Sequence, residues 1–237
     1  MKKIHYLIII AFIILFSGVF SAIADTKTVK SEAPAPASGH GEDKPDELAL
    51  ILNGLDARLG QKNFSADFIQ ESTLKAMDIT DTATGRVWFM YPAMMRWEYL
   101  TPEKYAIITD GTTLWVYRPD DRQVIMGDAR KYFSNGKGAS FLSNIRLIRD
   151  SFSVTIAQKA QDSYNLRLVP LKKEADLSEI MIKVLIPGFG IGNVVTRNAY
   201  GDETRLTFDH LRFDPEMDAA LFKFTIPPGT DVLEMQE

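Results

Sequence analysis

Cysteine is absent from all 237 residues. That excludes disulfides, a thiol nucleophile, cysteine-ligated metal and a lipid-modified N-terminal cysteine in one step. Histidine is scarce as well: only His210 falls beyond residue 47. Positive charge is not in excess, with 27 Lys and Arg against 31 Asp and Glu and a formal net charge of -4. No Lys/Arg-rich stretch interleaves with aromatics outside residues 89–99, so nucleic acid is not expected as a partner.

What is present begins with an export signature. Lys2 and Lys3 precede the apolar run Leu7 to Phe16, and Ser21-Ala22-Ile23-Ala24 supplies an Ala-x-Ala site. Residues 1–24 are therefore expected to be a cleaved signal peptide, the apolar run being short for a membrane-spanning helix. Residues 25–46, with Ala33-Pro34-Ala35-Pro36-Ala37-Ser38-Gly39, have almost nothing to bury and are expected to be a disordered linker. The folded domain is then 47–237, long enough to bury a core without covalent staples.

Leu48, Ile51, Leu52, Leu55 and Leu59 fall at helical spacing behind Pro45 and Asp46, which suit a helix start. After Gly60 the period changes to two. Alternation recurs around Phe64 to Gln70, Val87 to Tyr91, Met95 to Tyr99, Tyr105 to Thr109 and Leu114 to Arg118, with turn signals at Asp110-Gly111 and Pro119-Asp120-Asp121. Phe141, Leu142, Ile145 and Ile148 then share one helical face. Strands are expected again at Phe152 to Ala157, Tyr164 to Leu171, Ile180 to Ile186, Val194 to Asn198, Thr204 to Phe213 and, last, Phe222 to Ile226. The order predicts an α+β fold in which about eleven antiparallel strands curl toward a barrel and two amphipathic helices cover what it leaves open.

No catalytic constellation emerges. His210 alternates with Leu206 and Phe208, which predicts a packed or hydrogen-bonded strand residue at the barrel margin rather than a base. No Gly-x-Ser-x-Gly elbow exists. Gly188-Phe189-Gly190-Ile191-Gly192 leads into the strand-like Val194-Val195-Thr196 and reads as a turn or bulge, since a phosphate loop needs a following helix. Asp78, Asp81, Asp120 and Asp121 lack EF-hand spacing. Neither an enzyme nor a metal or cofactor site is expected.

The segment Phe89-Met90-Tyr91-Pro92-Ala93-Met94-Met95-Arg96-Trp97-Glu98-Tyr99 is unusually rich in aromatics and methionine. Met95, Trp97 and Tyr99 face one way, Arg96 and Glu98 the other, and Val87, Phe89 and Tyr91 share a face on the neighbouring strand. Two readings are open: a filled core, or a surface of large, adaptable groups for an apolar ligand.

"GRVWFMYPAMMRWEY", "ITDGTTLWVYRPDDRQV", "IPGFGIGNV" and "LFKFTIPPGTDV" resemble, in order and spacing, the motifs of the LolA family of periplasmic lipoprotein carriers, over about Leu48 to Val232. The resemblance implies an incomplete antiparallel barrel with an α-helical lid over an apolar cavity. Val87, Phe89, Met95, Trp97 and Tyr99 would line that cavity. Leu48, Ile51, Leu52, Leu55, Phe141, Leu142 and Ile145 would belong to the lid. Members commonly carry an arginine before the motif's proline to latch the lid. Tyr91 holds that position here, so Tyr91 and Arg96 are the latch candidates. The resemblance also implies a monomer in the Gram-negative periplasm. Its partners would be acylated lipoproteins, an inner-membrane lipoprotein-releasing ABC transporter complex and an outer-membrane receptor of the LolB kind. Alternatives are a carrier of another amphiphile, glycolipid or phospholipid, or a module that senses lipid or lipoprotein.

Overall fold

The computed structural model describes residues 45–133, 141–142, 145–173 and 176–235. The expected signal peptide and nearly all of the expected linker lie outside these residues. Pro45 to Met235 form one compact unit.

Helix α1 (Pro45–Leu59) comes first, followed by β1 (Phe64–Leu74), β2 (Ile79–Met90), β3 (Met94–Thr101), β4 (Tyr105–Thr109), β5 (Thr113–Arg118) and β6 (Gln123–Asp128). Two short helices, α2 (Ala129–Tyr132) and α3 (Leu147–Ser151), punctuate the connection to the second half. That half is β7 (Phe152–Lys159), β8 (Ser163–Pro170), β9 (Glu179–Leu185), β10 (Gly190–Arg197) and β11 (Glu203–Phe213). A 3-10 turn (Ala219–Phe222) and β12 (Asp231–Glu234) end the chain.

All twelve strands make one sheet in the order β12-β6-β5-β4-β3-β2-β1-β11-β10-β9-β8-β7. Every pairing is antiparallel except the parallel one between β12 and β6. The two edges, β12 and β7, do not pair, so the curled sheet is a half-open barrel. Side chains alternate between an inner and an outer face, and directly paired residues share a face. Phe64, Phe89 and Met95 thus form one inner row across β1, β2 and β3, continued by Thr109 and Leu114.

Gly85 is required by close approach. A Cβ there would lie 2.1 Å from the Glu98 carbonyl and 2.7 Å from the Phe68 ring. Only glycine lets that ring lie flat across β2 at the bulge between Thr84 and Gly85.

Four expectations need correction. Phe222 to Ile226 is not a strand: Asp218 caps a 3-10 turn through the Ala220 N–H, and the chain beyond it crosses the outer face of the sheet. Phe222 packs with Met90 and Met217 there, and Phe224 and Ile226 with Ile108, Trp115 and Val124. Burial, not pairing, explains that apolar run, and Pro227-Pro228 would forfeit two ladder donors. The pairing strand is the later β12. The second helix is also shorter than its apolar spacing suggested: Phe141 and Leu142 lie in a 3-10 turn, and the α-helix begins only at Leu147. Phe141, Leu142, Ile145 and Ile148 are nevertheless all buried.

His210 shows the third difference. It adopts φ of 51° opposite the register shift between Ser65 and Asp67, so a bulge reverses the alternation. His210 is exposed and does not share a face with Leu206, but it is the hydrogen-bonded strand residue expected, its Nδ1 lying 3.0 Å from Asp67 Oδ2. The fourth is Arg96, whose Nη1 donates to the Leu221 carbonyl at 3.1 Å and whose Nη2 pairs with Glu98 at 2.6 Å. It clamps the outer C-terminal segment and does not reach a lid helix.

Candidate functional site

The inner face between β1 and β5 is an aromatic wall. Phe64 and Phe89 ring centroids lie 4.8 Å apart, Phe89 and Trp97 5.7 Å, Phe68 and Trp97 5.0 Å, and Phe68 and Tyr99 5.0 Å. Val87, Phe89, Met95, Trp97 and Tyr99 are all buried on this wall. The opposite face of the same strands is apolar too: Trp88, Met90 and Met94 are covered by Met217 and Phe222. The methionine and aromatic richness of residues 89–99 therefore serves two layers, one inside the barrel and one beneath the C-terminal segment.

Along the wall the chemistry changes. Near the start of β1, which we term the mouth, the inner residues are Phe64, Phe89 and Met95. Toward the far end they are Gln70, Tyr99, Tyr105 and Arg118, all buried. Tyr99 Oη donates to Gln70 Oε1 at 2.8 Å, and Gln70 Nε2 donates to Ser72 Oγ at 3.1 Å. Tyr99 and Tyr105 stack at 4.1 Å. Burial pushes both phenols above their usual range, so both remain neutral donors. Arg118 lies 3.6 Å from Asp121 and 3.8 Å from Glu103. The wall is apolar at the mouth and polar at its foot, where Tyr99 and Gln70 are hydrogen-bonded while the buried Arg118 Nη2 has no hydrogen bond among the described residues.

Helix α1 closes against the mouth. Ile51, Leu55 and Leu59 are buried, Leu48 and Leu52 half-buried, and Leu50 points out. Gly54 meets the Phe189 ring so closely that a Cβ there would lie 2.4 Å from it. Phe189 is held at the tip of the β9–β10 hairpin with φ of 53° after Gly188 at 110°, which makes the expected glycine-rich turn the seat of the helix. Polar ties complete the closure. Glu47 accepts from Lys159 Nζ and from Tyr164 Oη, the latter at 2.8 Å. Asn53 Oδ1 accepts from Arg149 Nη2 at 2.6 Å, and Arg146 Nε lies 3.7 Å from Asp56. The Arg58 guanidinium lies 4.4 Å above the Phe213 ring.

These ties stand where a latch was sought. Tyr91 follows β2 at the mouth, and its backbone N–H donates to Asn63 Oδ1 at 3.3 Å. β6 ends at the mouth and β7 begins at the far end, and Arg146 and Arg149, which precede β7, bind α1 directly. No spacing rule singled out Glu47, Lys159, Tyr164 or Arg149, because each is a lone polar residue whose partner is distant in sequence. Among the described residues no group of three or more His, Asp or Glu is placed to hold a metal ion.

A family model described as outer membrane lipoprotein carrier protein LolA matches residues 60–225. The chain belongs to the LolA family. A protein of Neisseria gonorrhoeae named outer-membrane lipoprotein carrier protein is 30% identical over 192 residues, covering 78% of this chain and 90% of that one. One of the same name from Chromobacterium violaceum is 32% identical over 178 residues, covering 73% and 82%. A solved structure of an uncharacterised conserved protein from Thermus thermophilus shares the fold, with a TM-score of 0.52, 12% identity and coverage of 80% and 99%. The family match takes in β1 to β11 and the 3-10 turn, while α1 precedes it and β12 follows it. Two features of this LolA-family chain, the α1 ties and the parallel closing strand, therefore lie partly or wholly outside the matched region.

Proposed function

We propose that the protein is a periplasmic carrier that receives the acyl chains of lipoproteins released from the inner membrane and takes them to the outer membrane. The observation that carries this reading is the aromatic and methionine wall inside a half-open barrel, closed at its mouth by a helix held through a few partly exposed polar ties. The names of the curated relatives support the same cargo. Residues 1–24 would direct export and be removed, residues 25–46 would be a disordered segment ahead of the carrier domain, and no catalytic step is involved. Loading would come from an inner-membrane lipoprotein-releasing ABC transporter and unloading from a LolB-like receptor.

The mechanism follows from what must break. Glu47, Asn53 and Asp56 release Lys159 with Tyr164, Arg149 and Arg146, and α1 swings away from Phe189. Exposed ion pairs contribute little each, about 0 to 1 kcal/mol, so the ties set direction rather than a high barrier. Acyl methylenes then replace the apolar face of the lid against Phe89, Met95 and Trp97. Each buried methylene contributes about 0.8 kcal/mol, and several whole chains would exceed any releasable affinity. Opening the closed lid subtracts from that total, so hand-over is set by the difference between two states.

The test is native mass spectrometry of protein purified from the periplasm of cells overproducing a triacylated lipoprotein, with Met95→Glu alongside. The expected result is co-purified lipoprotein that is lost in the variant, because a carboxylate on the wall carries an unpaired charge into an apolar space. Phospholipid or glycolipid alone would change the cargo. No ligand in either protein would reduce the wall to core.

A further inference from the structure

The outer face of β7 to β11 carries a groove of about 430 Å³. Its upper end is the β7–β8 turn with Asp162 and Ser163, and it runs down past Asn165, Lys183, Asn193 and Val195 to Arg197 and Arg205. A concavity on the convex side of a sheet needs a cause. Bulges between Ile156 and Gln158 in β7 and between Ile191 and Asn193 in β10 supply one, because each sharpens the local twist. The floor is well packed, with Ser163 and Val195 buried.

Across the groove, Gln158, Asn165, Lys183 and Asn193 are direct cross-strand neighbours in four successive strands. They form a row of side-chain amides around one ammonium group, in which Asn165 Nδ2 already donates to Gln158 Oε1 at 3.0 Å, leaving the Gln158 amide N–H, the Asn165 carbonyl oxygen and the Asn193 amide to face a ligand. Arg197 and Arg205 are already shared with Glu179, Glu203 and Glu71. Lys183, by contrast, joins no ion pair among the described residues. Amides that donate and accept side by side match the alternating groups of an extended backbone, and the ammonium matches a carboxylate. Four strands at about 4.8 Å spacing give a row about 14 Å wide, the reach of about four extended residues.

Position decides the occupant. The turn at the head of the groove lies between Lys159 and Tyr164, the two residues that hold Glu47 of α1. A polypeptide whose lipid lies inside the barrel leaves past the mouth, and the groove begins at the part of the mouth where the α1 tie must open. We propose that the groove receives the first extended residues of the cargo polypeptide, those that follow its acylated terminus, with a preference for a carboxylate opposite Lys183. This inference rests on the lipoprotein-carrier reading above.

Two synthetic probes separate the two ideas: a diacylated cysteine amide, and the same diacylated cysteine extended by a short Ser/Asp-containing peptide. Titration calorimetry with the mature protein should show the lipopeptide binding about tenfold tighter, the worth of about one charge-assisted hydrogen bond. The double variant Lys183→Ala with Asn193→Ala should bind both probes equally, at the affinity the native protein shows for the peptide-free one. Lys183→Arg should restore most of the increment. Both positions are half-buried at the outer surface, and unchanged thermal unfolding checks that the variants fold. An increment that persists in the double variant, or its absence from the native protein while the peptide-free lipid still binds, overturns the groove but leaves the carrier. Failure of both probes to bind overturns the carrier reading and the groove with it. A gain seen with a glycosylated lipid instead of the lipopeptide overturns the peptide assignment.

Discussion

Tyr99 holds together two parts of the inner wall that differ in chemistry. Its ring packs on Phe68 and Tyr105, and its hydroxyl satisfies the buried Gln70 amide oxygen, which in turn orients the amide toward Ser72. Removing the hydroxyl leaves the ring contacts and deprives the buried Gln70 oxygen and the Tyr105 hydroxyl of a partner. Tyr99→Phe should therefore cost about 1 to 3 kcal/mol of stability, the desolvation penalty of an unpaired polar group. Urea unfolding measures this, and a cost under about 0.5 kcal/mol would mean that water or another donor replaces the hydroxyl. A second variant, Tyr99→Phe with Gln70→Leu, should recover the part of the loss due to the stranded Gln70 amide oxygen.

At the scale of elements, the outer face of the second half of the sheet is held by charge as well as by ladders. Arg167, Glu179, Arg197, Glu203, Arg205 and Glu71 alternate in sign from β8 to β1. Burial raises the Glu179 pKa, but hydrogen bonds from Arg167 and Arg197 outweigh it, and the carboxyl ends below its ordinary value of 4.5. A carboxyl depressed in the folded state stabilises fully above its ordinary pKa, and that stabilisation disappears as pH falls through the folded value. The native protein should therefore lose stability more steeply than Glu179→Gln between about pH 5 and about pH 3, which denaturant midpoints at each pH would measure. Equal slopes would remove Glu179 from the acid response. This ladder was not legible in the sequence, because its six members lie on five strands and only the register joins them. The strands themselves were legible, since alternation and the Asp110-Gly111 turn are local. Asp110 Oδ1 does accept from the Thr112 and Thr113 N–H groups, each at 2.8 Å. Phe222 to Ile226 misled because burial on an outer face and pairing in a ladder leave the same apolar trace. The wall residues were read from their period, but the lid ties needed partners about a hundred residues away.

For the whole molecule, on the mechanism proposed above, closure of α1 and binding of acyl chains compete for the same apolar surface, so the stability of the closed state should appear as lost affinity. Gly54 is the place to change one with least effect on the other, since the atoms nearest a side chain there all belong to Phe189, on the β9–β10 hairpin rather than the β1 to β5 wall. A methyl at residue 54 would stand 2.4 Å from the Phe189 ring, and either the ring or the helix must move. Alanine also favours helix by up to about 1 kcal/mol, so a loosened lid in Gly54→Ala cannot be blamed on an unravelled α1. If undocking costs the closed state about 1 kcal/mol, the open fraction rises about fivefold and the apparent dissociation constant for a diacyl probe falls by the same factor. Hydrogen exchange should speed up in α1 and remain unchanged in β1 to β3. Phe189→Ala should give the same pattern by removing the seat instead of crowding it. Faster exchange in α1 with unchanged affinity in both variants would show that lid closure does not oppose binding. Release would then depend on the receiving partner pulling the chains from an already open barrel.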